Sequence, residues 1–437
     1  MNKMIYIIIA LNLIFSQYWQ PFHIEDLNNH RNTVVDFKRI DKQAKLRVVE
    51  EDITRDVLTH EVIGYLPYWE YSHYPDLDYN LLTQLNFFSA ELDQYGNVID
   101  DHNWNNLYIV TYAHERDVKV KLCATLFGQS ELTTLLNNPL HRENAINNLL
   151  ELVVNKNADG IDIDFELLPQ SQRDNLVLFM QELSTAFHQA LEDPIITMAT
   201  PAIDWSDAWD YNSLAQITDG LFIMGYNYFY SGSPTAGPIS PLGGYYYDLE
   251  YTIYDYINKT GGQLDKLILG LPYYGYDWPV ENESMNSDTN GSGVARFYSE
   301  AQMMSEQYSY NYFEDSHSAW FNYYNNSWHQ CWYDDSLSLS TKYQYAKNID
   351  LQGIGIWALG YDAGHDELWG AIYDHFIMAL IGDLNFDNQV DILDVILLVD
   401  IVLDIDNSNQ DSADLNNDGN INILDIIYLV SIILDDS

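Results

Sequence analysis

Three carboxylates spaced two residues apart are the most chemically loaded feature of the chain: Asp162, Asp164 and Glu166 in the run ADGIDIDFELLP. Side chains alternate along an extended strand, so these three share one face while Ile161, Ile163 and Phe165 take the other. The apolar flanks make both faces read as buried, where an unpaired charge is costly. A solvated edge strand would carry the same acids without chemistry, but its flanks would not be so apolar. Crowded and poorly hydrated carboxyl groups repel one another, so at least one of them is expected to keep its proton at neutral pH. That is the requirement for a general acid.

A second set of carboxylates has a different spacing. Residues 383–404 repeat at an offset of 31 as residues 414–435, with thirteen of twenty-two positions identical. Each copy places oxygen side chains at loop positions one, three, five, nine and twelve. These are Asp383, Asn385, Asp387, Asp391 and Asp394, then Asp414, Asn416, Asp418, Asn422 and Asp425. This is the ligand spacing of a calcium loop, with Gly419 and Asn388 at the sharp turn of position six. An apolar helix is expected after each loop. Asp394 and Asp400 interrupt ILDVILLVDIVL, which is also too short to span a bilayer.

The acidic strand needs a frame. Apolar strand-like runs alternate with amphipathic stretches: EVIGYLPYW, QLNFFSAEL, VKVKLCATLF, GIDIDFELL, IITMATPAI, DGLFIMGYNYF, KLILGLPYYGYDW and LQGIGIWALGYD. Helical patterns such as Arg142–Lys156 and Ser171–Leu191 lie between them, so the repeating unit is strand, helix, strand, which demands a parallel sheet. Eight such strands close into an α/β (β/α)8 TIM barrel. The long connections Tyr230–Leu242 and 279–330, the latter an insertion between strands seven and eight, should rim the C-terminal face where barrel active sites lie.

Composition narrows the partners. The net charge of −46 repels nucleic acid and anionic membranes and favours cations and neutral polymers. Aromatic residues make up 14 % of the chain, including 35 Tyr and 11 Trp, which suits a surface that stacks sugar rings. The two cysteines, Cys123 and Cys331, provide no disulfide framework and read as buried thiols. Lys3 followed by the apolar run Met4–Phe15 and then Ser16 and Gln17 reads as a signal peptide over 1–17, too short for a membrane helix, so export is expected. Residues 18–58 are polar and read as a linker or pro-segment, the barrel spans 59–380, and the acidic module spans 381–437, where no Lys or Arg remains.

The strand DGIDIDFE resembles the DxxDxDxE signature of family 18 glycoside hydrolases, the family of many chitinases. MGYN at 224–227, LPYYGYDW at 271–278, WYDD at 332–335 and GIGIWALGYD at 353–362 match in order, so the resemblance covers roughly 60–378. It implies that Glu166 protonates the glycosidic oxygen, that Asp164 hydrogen-bonds the substrate acetamido group and that Asp162 shares charge with Asp164. It assigns Tyr226, from the motif beginning at Met224, to the acetamido oxygen, and Trp357 to the floor under the reacting sugar. Asn227 stands where chitinases commonly carry Asp, and Phe165 where many have Trp, a substitution that resembles the subgroup acting on bacterial cell-wall glycans and spore peptidoglycan. Tyr68, Trp69, Trp205, Trp209, Tyr274 and Trp278 follow strand ends and are candidates for the cleft.

The paired acidic loop-helix units resemble dockerin modules, a small all-α fold that binds cohesin domains on scaffolds or cell surfaces, which implies structural Ca2+ and a cohesin-type partner. The reading is therefore a secreted or cell-surface hydrolase of β-1,4-linked N-acetylglucosamine polymers, acting through substrate-assisted retention and needing no cofactor for catalysis. The rivals are a peptidoglycan or glycoprotein-glycan hydrolase with the same mechanism and a non-catalytic chitinase-like lectin.

Overall fold

The structure, a computed structural model, describes residues 21–47, 57–378, 381–385, 389–403, 413–416 and 418–435. The signal-peptide expectation for 1–17 and the candidate ligand Asp387 lie outside the described residues. Two compact units are present, one holding residues 21–47 and 60–375, the other 57–59 and the described residues from 376 onward.

The first unit is built on β1 (Glu61–Pro67), β2 (Gln84–Leu92), β3 (Val98–Asp100), β4 (Lys119–Phe127), β5 (Gly160–Glu166), β6 (Ile195–Pro201), β7 (Gly220–Met224) and β8 (Leu267–Pro272). After β8 come β9 (Tyr274–Val280), β10 (Val294–Phe297), β11 (Ser309–Phe313), β12 (Ser318–Asn325), β13 (Ser327–Tyr333) and β14 (Gly353–Trp357). Around the ring the order is β1, β14, β8, β7, β6, β5, β4, β2, and β2 pairs back to β1. All eight of these pairings are parallel, so the sheet closes as a TIM barrel. β3 adds an antiparallel edge to β2.

Closure explains why the strands read as unbroken apolar runs: one face lines the barrel and the other meets the helices, so every residue of β2 and β5 is buried. The helices of this unit are α1 (Phe22–His30), α2 (Phe37–Ala44), α3 (Ile109–His114), α4 (Gln129–Asn137), α5 (Pro139–Lys156) and α6 (Arg173–Ala190). They continue with α7 (Tyr211–Ile217), α8 (Leu249–Thr260), α9 (Tyr298–Ser305), α10 (Ser336–Asn348) and α11 (Asp366–Phe376). Their ends are written locally. α5 starts where the Asn138 side chain accepts the Leu140 amide ahead of Pro139, and stops at Asn157 in the left-handed region, φ 55°.

Two expectations are corrected. The run KLILGLPYYGYDW is not one strand: β8 ends at Pro272, which cannot donate to the ladder, and Tyr274–Val280 leaves the barrel as β9. With β10–β13 it forms a five-stranded antiparallel sheet, so the insertion spans 274–333 rather than 279–330. Residues 21–47, read as part of a linker or pro-segment, carry α1 and α2, whose buried faces belong to the same unit as the barrel.

The second unit contains α12 (Ile392–Val402) and α13 (Ile423–Asp435), packed through Leu384, Leu398, Ile401, Leu415 and Leu429. Among the described residues no helix is long and apolar enough to cross a membrane.

Candidate active site

β5 delivers the three acids as strand alternation requires. In register, Asp162 lies beside Cys123 and Thr197, Asp164 beside Thr125 and Glu166 beside Phe127. Ile161, Ile163 and Phe165 take the opposite face, where the Phe165 ring packs 5.3 Å from Phe179 of α6. Phe165 therefore belongs to the helix layer and does not line the acid face.

The acids sit at increasing height along β5 and meet different partners. Asp162, at the barrel bottom, accepts hydrogen bonds from Tyr65 Oη and Thr197 Oγ1, both at 2.6 Å. Lys121 Nζ in turn donates to Thr197 Oγ1 at 2.7 Å, and burial lowers the ammonium to about 8. One oxygen of Asp164 contacts His23 Nδ1 at 2.7 Å, while Oδ1 has no partner among the described residues. Glu166 closes the strand at 3 % exposure with neither carboxyl oxygen hydrogen-bonded to a described residue, Oε1 lying 3.3 Å from His23 Nδ1.

Burial pushes Asp164 upward, opposed by the His23 contact, and pushes Glu166 well above the carboxylate range, reinforced by the charge of Asp164. A buried carboxyl with unused oxygens and a raised pKa can deliver a proton to a group that enters the cavity.

The motif residues of other strands converge here. Tyr226, just past β7, points its hydroxyl to His23 Nε2 at 2.7 Å. Trp357 ends β14 fully buried, its ring 4.9 Å from Phe88 and 5.5 Å from Tyr65. Asn227 follows with φ 66°, a left-handed conformation that Asn tolerates, and its Oδ1 accepts from Tyr274 Oη at 3.3 Å. Met224 terminates β7 between Pro201 and Gly270.

The remaining aromatic candidates divide. Tyr274 approaches Tyr226, with ring centroids 6.1 Å apart. Trp69 donates Nε1 to Tyr361 Oη at 3.0 Å, and Tyr68 stacks on His102 at 3.6 Å. Trp205 is 64 % exposed beside Tyr247. Trp209 is buried near Tyr211, and Trp278 is fully buried in β9 with Nε1 on the Tyr230 carbonyl, so these two serve packing in the observed structure.

Residue-by-residue reading of the sequence left out Tyr65, Lys121, Thr197, His23 and Asp26. The first three stand at inward positions of β1, β4 and β6, and a lysine inside VKVKLCATLF was a usable signal. For His23 and Asp26 no sequence signal names the acids and aromatics they meet.

A comparison with protein families matches residues 61–362 to "Glycosyl hydrolases family 18". The chain belongs to that family. A second match, "Dockerin type I domain", covers residues 381–434. Among similar proteins, a putative sporulation-specific glycosylase of Bacillus subtilis (strain 168) is 29 % identical over 247 residues, 54 % of this chain and 56 % of that protein. The di-N-acetylchitobiase of Mus musculus is 27 % identical over 300 residues, 60 % of this chain and 79 % of that protein. The chain spans about half the length of that glycosylase and of the cortical fragment-lytic enzyme of the same organism. A GH18 chitinase from Cycas revoluta, solved in complex with (GlcNAc)3, shares the fold with a TM-score of 0.66 at 20 % identity, over 72 % of this chain and 99 % of that one.

In this family 18 hydrolase the dockerin region repeats one local design. Asp394 is fully buried and accepts the amides of Leu384 at 2.8 Å and Asp391 at 2.8 Å. Asp425, equally buried, accepts those of Asn416 at 3.2 Å and Asn422 at 2.8 Å. Each position-twelve carboxylate thus ties its loop to the helix that follows. Asp391 and Asn422 cap those helices by accepting from Leu393 and Leu424. Gly419 turns at φ 82°.

Proposed function

We propose that this family 18 hydrolase cleaves β-1,4-linked N-acetylglucosamine chains by substrate-assisted retention. The observation that carries the reading is the pairing of Asp164 and Glu166, buried and with unused oxygens, gathered with the Tyr226 hydroxyl and the Trp357 ring around the one side chain of His23. Glu166 gives its proton to the glycosidic oxygen as the bond to the leaving sugar breaks. The substrate's acetamido oxygen attacks the anomeric carbon, with its N–H directed to Asp164 and its oxygen to Tyr226. Water then opens the oxazolinium ring and returns a proton to Glu166, so no enzyme nucleophile is needed. Asp162, held by Tyr65 and Thr197, supports the charge of Asp164, and Trp357, with Tyr274 and Trp69 nearby, offers flat faces to sugar rings. Hydrolysis of chitotetraose followed by chromatography tests this: products are expected from the native chain, and about 10²–10⁴-fold slower release from a Glu166→Gln chain at matched concentration. Tight oligosaccharide binding without products would instead support the lectin reading.

A second substrate, the glycan of bacterial walls, is favoured by the sporulation-specific glycosylase among the relatives and by Asn227, which lacks the charge of Asp. Phe165 adds nothing to that choice, since it packs against Phe179. Product analysis on purified peptidoglycan beside chitin oligomers separates the two.

The C-terminal module supports tethering, outside the cell, to a cohesin-type partner. Its donor set fits calcium: only hard oxygen side chains, with a left-handed Gly419 at the turn. Asp383, Asn385, Asp391 and Asp394, then Asp414, Asn416, Asp418, Asn422 and Asp425, would hold one ion per loop, with Asp387 completing the first set. Bound calcium supplies charge neutralisation, and the fold of the module would depend on it. Export through residues 1–17 completes this reading, and the size of the secreted chain tests it.

A further inference from the structure

The N-terminal helix α1 lies against the acids, and its side chains take the positions a sugar chain needs. His23 stacks on Trp357 with ring centroids 3.6 Å apart and 23° between planes. Phe22 stacks on Tyr274 at 3.6 Å and 4°, and His30 on Trp69 at 4.8 Å and 7°. Three of the flat faces proposed above to carry sugars are thus each covered by a ring of the same nine-residue helix. At 3.6 Å the two rings are in van der Waals contact, so no sugar fits between them.

The polar groups are matched in the same way. His23 bridges Asp164 and Tyr226, both at 2.7 Å, taking the donor and acceptor that the acetamido group would use. Asp26 accepts from Trp357 Nε1 at 3.2 Å and from Tyr361 Oη, and Glu25 accepts from Tyr276 Oη at 2.8 Å. The helix behind it is fastened outside the cleft. Asp41 of α2 accepts from Tyr71 Oη at 2.7 Å, Tyr74 Oη at 3.0 Å and the Tyr108 amide at 3.1 Å.

We propose that α1 is an autoinhibitory plug, anchored by α2, which mimics the bound glycan and keeps the active site latent until it is displaced or cut away. The inference rests on the proposed function of this same cleft. Sugar and helix compete for one set of faces, so the apparent affinity for substrate falls by the fraction of molecules with the helix undocked. Nothing in the chemistry of Glu166 changes, only access to it.

The test uses the full chain with Phe22→Ser, His23→Ser and His30→Ser together, with His23→Ser alone as the milder variant should the triple variant melt early. Chitotetraose binding is measured by calorimetry in a Glu166→Gln background with and without the plug substitutions, and kcat/KM is measured with Glu166 intact. Removing the plug is expected to tighten binding and raise kcat/KM by about tenfold or more. A synthetic peptide of residues 21–47 added to the plug variant should reverse both gains. Tighter binding without hydrolysis in either chain would keep the plug and refute the hydrolase. Unchanged binding and rate, with no effect of the peptide, would overturn the plug and leave the hydrolase standing. The donor atoms of His23, Asp164 and Glu166 also lie within 4.8 Å of one another. A rise in native activity on adding EDTA would show that a cation, not the helix, closes the site, and would equally overturn the proposal.

Discussion

The imidazole of His23 lies face to face with the indole of Trp357, ring centroids 3.6 Å apart, while its two nitrogens reach Asp164 and Tyr226. One side chain from α1 therefore touches the indole, the carboxylate and the phenol proposed above to surround the reacting sugar.

Replacing Glu166 by Gln removes the proposed proton donor and little else. Activity on chitotetraose should drop by about 10²–10⁴-fold. Because burial holds Glu166 above the usual carboxyl range, its contribution to stability is complete below its unfolded pKa and is lost as pH rises through the folded value. The native chain should therefore lose more melting temperature than the Gln variant as pH is raised from mildly acidic values, read by calorimetry.

Tyr226→Phe deletes one directed donor. A fall in kcat of the order of 10²-fold is expected, with a smaller change in KM, since the hydroxyl holds the acetamido oxygen in line with the anomeric carbon for attack. Steady-state kinetics in the plug-free chain decides it, and a change confined to KM would argue against that role.

Lys121 sits fully buried at the barrel bottom, lowered to about 8 by desolvation despite Asp162. A lowered lysine makes the folded chain bind fewer protons than the unfolded one between about 8 and its ordinary value, so its contribution to stability rises over that interval. Lys121→Met should lack that rise, so the native-minus-variant difference in stability should climb over the interval. The substitution should also leave the Thr197 hydroxyl short of the donor that Lys121 supplies, at a cost of about 1–3 kcal/mol at neutral pH. Denaturant titrations at several pH values measure both.

Latency should depend on pH through Asp26. Burial raises it to about 7, against hydrogen bonds from Tyr361 and Trp357, with the charge of Glu25 adding and His30 3.6 Å away. Glu70, raised to about 8 by burial and by Asp26 and Asp362, titrates nearby. The docked helix thus favours protonated acids: docking is strongest below the ordinary carboxyl range and weakens as pH rises through 7 to 8. The ratio of native to plug-free activity should climb over that interval, and Asp26→Asn should flatten it.

Calcium removal should act on one unit. EDTA is expected to lower or abolish the melting transition of residues 381–435 and leave that of the barrel in place, read by differential scanning calorimetry.

Much of this was legible. Alternation placed Asp162, Asp164 and Glu166 on one buried face because a strand offers only two, and eight apolar runs separated by amphipathic stretches allowed only a closed parallel sheet. The break at Pro272 was written in the sequence but hidden inside one apolar run, since Tyr273–Trp278 is as strand-prone as what precedes it. Lys121 was visible as a cation at inward parity. His23 was not: its partners are 141 and 203 residues away, and short-range periodicity carries no information about which aromatic a polar helix will cover.

Substrate assistance is tested most directly by following the first product of chitotetraose hydrolysis by proton NMR in the plug-free chain, beside the fully deacetylated tetramer. Substrate assistance predicts that the new reducing end appears first as the β-anomer and that the deacetylated chain is not cut. Appearance of the α-anomer first, or equal cleavage of the deacetylated chain, would contradict it.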